Sequence, residues 1–126
     1  MIIVLLPFIF MACEKHSLDK DAVTETAVIT IAAPTAGAVY HNGDSINIKA
    51  KAIYTKNIHG YDLAVRKAND TTVVYFIHVH DHNDTLLVDQ KWKNTLSGPL
   101  NMEAELTFYL DHDGTTGSKK ATFRIE

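Results

Sequence analysis

Seven histidines in 126 residues are the most chemically loaded feature of this chain. Three fall in the run His78-Val79-His80-Asp81-His82, one precedes Gly60 as His59, and one lies in Asp111-His112-Asp113-Gly114. Imidazole suits Cu, Zn and Ni, whereas carboxylates favour harder cations. A His-x-His pair on a strand projects both rings from one face, because strand side chains alternate. A third imidazole from a neighbouring loop then completes a site. The candidate metal ligands are His80, His82 and His112, with His59 and His78 next, and the ion would be Cu or Zn. Asp81, Asp84, Asp111 and Asp113 can act as ligands or orient the rings through their second nitrogens. The competing reading is solvated turn histidines: His, Asp, Asn and Gly are ordinary loop residues, and Asp-His-Asp-Gly is a good turn sequence.

The second reactive group is the single cysteine, Cys13, which cannot form an internal disulfide. Residues Met1 to Ala12 are almost wholly apolar and uncharged. The run is too short for a transmembrane helix, which needs roughly 20 such residues, and fits the apolar stretch of a signal peptide. Its end, Phe10-Met11-Ala12-Cys13, resembles the lipobox of bacterial lipoproteins. In that family the leader is cut before the cysteine, which then carries acyl chains. The resemblance implies lipidation of Cys13 and a lipid-anchored place in the bacterial cell envelope, at the outer membrane or cell surface. A buried N-terminal strand with a core cysteine is the alternative; the polar run from Glu14 to Asp21 speaks against it. Residues 13–27 are polar and weakly patterned, as in a flexible tether. Fully extended, such a tether reaches roughly 45–50 Å, which keeps the following domain near its membrane.

The elements that must position the histidines begin at Val28, where the apolar period becomes two. Ile29 and Ile31 start a first strand, ended by Pro34 and Gly37. Ile46, Ile48, Ala50 and Ala52 alternate with polar residues in a second, and Tyr61, Leu63 and Val65 in a third. Thr72 to Val79 is apolar on both faces, which fits a central or covered strand. Leu86, Val88 and Trp92 indicate a fifth strand, Met102 through Leu110 a sixth, and Ala121, Phe123 and Ile125 a seventh. No stretch carries a helical stripe. The expected fold is an all-β, antiparallel sandwich of about seven strands over residues 28–126, after a signal peptide (1–12) and tether (13–27). The pattern of an apolar strand, Pro34-Thr35-Ala36-Gly37, Gly43-Asp44 and an alternating strand resembles the Ig-like modules of bacterial surface lipoproteins. If successive strands reverse direction, the second, fourth and sixth loops share one end of the sandwich. Those loops carry His59, His80 with His82, and His112, while His41 falls at the other end. Trp92, Tyr61, Tyr75 and Phe108 are expected in the core, with an aromatic sugar-binding platform as the alternative.

A net charge of −3 without a basic block gives no reason to expect a nucleic-acid partner. No Ser or Thr sits in a recognisable nucleophile turn, and Cys13 is consumed by lipid in the lipoprotein reading, so no enzyme is expected. His78 to His82 falls one residue short of the HxHxDH run of metallo-β-lactamase-type hydrolases. The anchored sandwich suits a structural or interaction module of a surface complex, with the membrane and an envelope protein as partners. The alternative is a Cu or Zn carrier or sensor. In general design that reading is similar to periplasmic copper-resistance chaperones, which pair an Ig-like sandwich with histidines at one end.

Overall fold

The computed structural model describes residues 26–126. Cys13, the leader and all but the last two residues of the tether lie outside the described residues. The described chain is all β, with eight strands: β1 (Val28–Ala33), β2 (Ala38–Tyr40), β3 (Ser45–Ile58), β4 (Tyr61–Lys67), β5 (Val73–Val79), β6 (Asn83–Lys93), β7 (Leu100–Tyr109) and β8 (Thr116–Ile125). They form a three-stranded sheet, β1-β3-β6, facing a five-stranded sheet, β2-β8-β7-β4-β5. This is the sandwich expected from the period-two patterning. Ile46, Ile48, Leu63, Val65, Met102, Leu106, Phe108, Phe123 and Ile125 project between the sheets and are fully or almost fully buried. Burying each such side chain contributes about 1.5–3 kcal/mol. Trp92 packs against Tyr75 with ring centroids 6.5 Å apart, and Tyr61 against Phe108 at 5.7 Å. Trp92, Tyr61 and Phe108 are buried, so they belong to the core and form no surface platform.

Two expectations are corrected. The extra strand is β2, only three residues long, and it pairs with β8 in parallel. The sandwich is therefore not wholly antiparallel. The apolar signal of β2 is too short to register, since Ala38 and Tyr40 are its only inward residues. Secondly, among the described residues β5 is neither central nor covered on its second face: it closes the five-stranded sheet at one edge, with Val73 41% and Phe76 57% exposed. An apolar outer face can belong to a buried strand or to an edge, and periodicity alone does not separate the two.

The inserted strand leaves the loop geometry intact. β1 is antiparallel to β3, which turns tightly at His59-Gly60 into β4. β4 and β8 are each antiparallel to β7, and β2 is parallel to β8. β2 thus runs in the same direction as β1, and the chain crosses between sheets there without reversing. The pairings Ile58↔Asn83, Tyr61↔Val79, Tyr61↔Phe108 and Tyr109↔Thr116 gather three turns at one end of the sandwich. His41 lies in the β2–β3 turn at the opposite end, where its backbone N–H donates to Asp44 Oδ2 at 2.8 Å.

Candidate functional site

His59 is fixed by the backbone on both sides of it. Its N–H donates to the Tyr109 carbonyl at 2.7 Å, and the Tyr109 N–H donates to the Gly60 carbonyl at 3.0 Å. Gly60 has φ 127°, a conformation L-residues rarely adopt. A Cβ there would stand 2.3 Å from the Val79 carbonyl oxygen and 3.2 Å from His80 Cα. Only glycine lets the β3–β4 turn lie directly on the end of β5, which brings His59 beside His80.

His82 follows Asp81, whose Oδ1 accepts the His82 backbone N–H at 2.8 Å. His112 rides on a turn organised by Asp111, whose Oδ1 accepts the backbone N–H groups of Asp113 and Thr115 at 2.8 and 2.9 Å. Hydrogen bonds from Thr115, then those from Asp113 and Gly114, hold the Asp111 carboxyl below its ordinary pKa despite some desolvation. These two aspartates therefore shape the loops and do not orient the rings.

The rings themselves meet. His59 Nδ1 lies 2.9 Å from His82 Nδ1, and His82 Nε2 lies 3.0 Å from His80 Nε2. The His112 ring packs on His59 with centroids 4.1 Å apart. His78, His80, His82 and His112 are exposed and His59 is half-buried. The arrangement is a chain of imidazoles, His59–His82–His80. A neutral imidazole has one N–H and one lone pair. His82 must therefore donate to one neighbour and accept from the other, and the chain can be polarised either way. One polarity leaves the lone pair of His59 Nε2 free, the other that of His80 Nδ1. Because His82 gives one nitrogen to each neighbour, no three of these donors converge, as the rings stand, in a group that could hold a metal ion among the described residues. The exposed rings are free to turn about their side-chain bonds within nanoseconds. The N···N separations already approach the roughly 3 Å spacing of two nitrogens that share an ion at about 2.0–2.1 Å.

Partial desolvation and then the neighbouring His112 and His82 push His59 below the ordinary histidine range, with His80 adding slightly and Asp111 opposing. A lowered pKa favours the neutral ring, which carries the one lone pair a cation can take.

His78 is placed differently. It shares the outer face of β5 with Phe76, across from Asp62 on β4. Its Nδ1 lies 2.5 Å from Asp62 Oδ1, and the Tyr109 hydroxyl donates to Asp62 Oδ2. That hydrogen bond, with desolvation and the carboxylate charge, raises the Tyr109 pKa and keeps its proton in place. Asp62 and Tyr109 escaped the sequence reading. Their alternation shows that they face outward, but which histidine they meet depends on a register between distant strands. A shallow depression of about 260 Å³ is lined by His59, His78, His80, Tyr109, Asp111 and His112.

No protein-family model and no curated protein matches this sequence. Among solved structures, the fold is similar to the fibronectin(III)-like modules of Clostridium thermocellum CbhA. The TM-score is 0.54 at 18% identity, over 81% of this chain and 47% of that one, about half its length. A second similarity is to the CARDB domain of a Pyrococcus furiosus protein, with a TM-score of 0.44 at 11% identity, over 81% of this chain and 99% of that one. The first supports an Ig-like sandwich and says nothing of the histidines.

Proposed function

We propose that this chain is an envelope-anchored Ig-like lipoprotein module that takes up Cu(II) or Zn(II) at its histidine end, as a carrier or sensor. The observation that supports the reading is the meeting of His59, His80, His82 and His112, drawn from three separate turns, in one group of touching imidazoles. Nitrogen donors dominate the group, which suits Cu and Zn over Ca and Mg. The lipobox-like Phe10-Met11-Ala12-Cys13 supplies the anchor, and the polar segment before Val28 supplies the reach. Calorimetric titration of the full chain in detergent at pH 7.5 tests the metal step. The expected result is binding near one ion per chain, lost in the His80→Ala/His82→Ala double variant. No binding by the parent chain, or full affinity in the double variant, overturns it.

A second reading is a structural or interaction domain of a surface complex. It is favoured by the edge strand β5, which carries exposed Val73 and Phe76. Exposed edges are the usual place for another chain to add. Co-purification of a membrane partner, indifferent to chelator and lost on Phe76→Ser, supports this reading; recovery unchanged by Phe76→Ser removes it.

A further inference from the structure

The imidazoles at this end differ in one respect that matters to a cation. Those of His59, His80 and His82 lean on one another, so the proton between two rings can sit on either. Among the described residues, only His78 of this group meets a carboxylate side chain within hydrogen-bonding distance, His41 and Asp44 being at the other end of the sandwich. A carboxylate accepts and does not donate. With Asp62 Oδ1 at 2.5 Å, the proton of that contact resides on His78 Nδ1, and the lone pair of a neutral ring is left on Nε2.

The carboxylate is itself held. The Tyr109 hydroxyl takes its other oxygen, the side chain is only 22% exposed, and the Tyr109 ring packs edge-on against His78 with centroids 5.9 Å apart. The scaffold sets this geometry. Asp62 pairs with His78 across β4–β5 and with Thr107 across β4–β7, so Tyr109, two residues along β7, emerges on the same face. His78 and Tyr109 then border the same depression as His59, His80 and His112.

We propose that Asp62 and Tyr109 are the positioning arm of the metal site: they hold His78 in its Nδ1-protonated form and present its Nε2 to the divalent Cu or Zn ion that the neighbouring histidines take up. The inference rests on the metal reading above. An imidazole whose far nitrogen donates to a carboxylate is a more basic and better oriented ligand, and such partners are worth about 10–100-fold in metal affinity. The donor set confines the ligand class to ions that accept imidazole. Among the described residues Asp111 is the only carboxylate bordering the depression, and its Oδ1 is already engaged by the turn that carries His112.

The test has two arms on the full chain in detergent. In the metal-free protein, nitrogen-15 NMR of the histidines reads the His78 tautomer. The expected form is Nδ1–H in the parent, with a shift toward Nε2–H in Asp62→Ala and a partial shift in Tyr109→Phe. In the second arm Cu(II) and Zn(II) are titrated separately. Asp62→Ala is expected to bind about 10–100-fold more weakly, Tyr109→Phe several-fold more weakly, and Asp62→Asn, which keeps an acceptor oxygen, to recover part of the loss. Tyr109→Phe preserves the ring and gives the same reading if Asp62→Ala fails to fold. An Nε2–H tautomer in the parent overturns the inference, as does a parent that binds metal while Asp62→Ala and Tyr109→Phe bind it equally well. A parent that binds neither ion overturns the metal reading itself, and this inference with it, whatever the tautomer.

Discussion

Replacing Gly60 with alanine separates backbone strain from collision at the turn that carries His59. At φ 127° an L-residue is strained, at a cost of about 1–3 kcal/mol. The added Cβ would also stand 2.3 Å from the Val79 carbonyl oxygen. Its neighbour is backbone, so no side-chain rotation relieves the contact, and the β3–β4 turn must lift away from β5. For a domain of this size, 1 kcal/mol shifts the melting temperature by roughly 4–8 °C, so strain alone predicts a fall of roughly 4–24 °C. Gly114→Ala is the control: its φ of 93° is also strained, but its Cβ would meet nothing within 4 Å. Melting followed by circular dichroism should rank parent above Gly114→Ala above Gly60→Ala. Cu(II) affinity should fall with Gly60→Ala, because His59 is carried off with the turn. A Gly60→Ala variant that melts no lower than Gly114→Ala would refute the claim that this close approach holds the turn in place.

Three further outcomes follow from the same contacts. His59 is held below its ordinary value of 6.5 in the folded chain, so the unfolded chain binds the proton more readily. The His59 share of stability, read in denaturant melts as the difference between the parent and His59→Asn, should be level above about pH 7.5, decline as pH falls through 6.5, and level off below the folded pKa; a difference flat from pH 7.5 to 5.5 would contradict this. Asn94 is fully buried at the opposite end, its Nδ2 donating to the His41 and Leu96 carbonyls and its Oδ1 accepting the Leu96 N–H. Asn94→Ala should cost at least about 1–3 kcal/mol in a urea melt while leaving Cu(II) affinity in the folded chain unchanged. Cys13→Ser should abolish incorporation of labelled fatty acid and release the chain from the membrane fraction in a bacterial host, where the parent is labelled and retained.

The strands were legible because the buried residues of β3, β7 and β8 keep a strict alternation, as in Met102, Ala104, Leu106 and Phe108. That alternation, with the turn signals between strands, also foretold which loops share an end. The far half of β3 was less plain: its register breaks between Ile53 and Ile58, and the intervening residues lose the alternating burial. β2 was hidden by its length and β5 by its apolar outer face. At the histidine end the sequence shows the donors and their loops but not the orientation of the rings. The aspartate that meets a ring is Asp62, distant in sequence, and not the adjacent Asp81 or Asp111, whose oxygens serve their own turns. Local spacing does not carry cross-strand register, and it is the β4–β5 and β4–β7 register that defines the Asp62–His78–Tyr109 group.

The most direct measurement is electron paramagnetic resonance of the full chain in detergent with one equivalent of Cu(II) at pH 7.5. Nitrogen splittings from three or more imidazoles, lost when His80 and His82 are replaced by alanine, are the predicted result. A spectrum of copper bound only by water or buffer would contradict the claim that this end of the sandwich gathers its histidines around a metal ion.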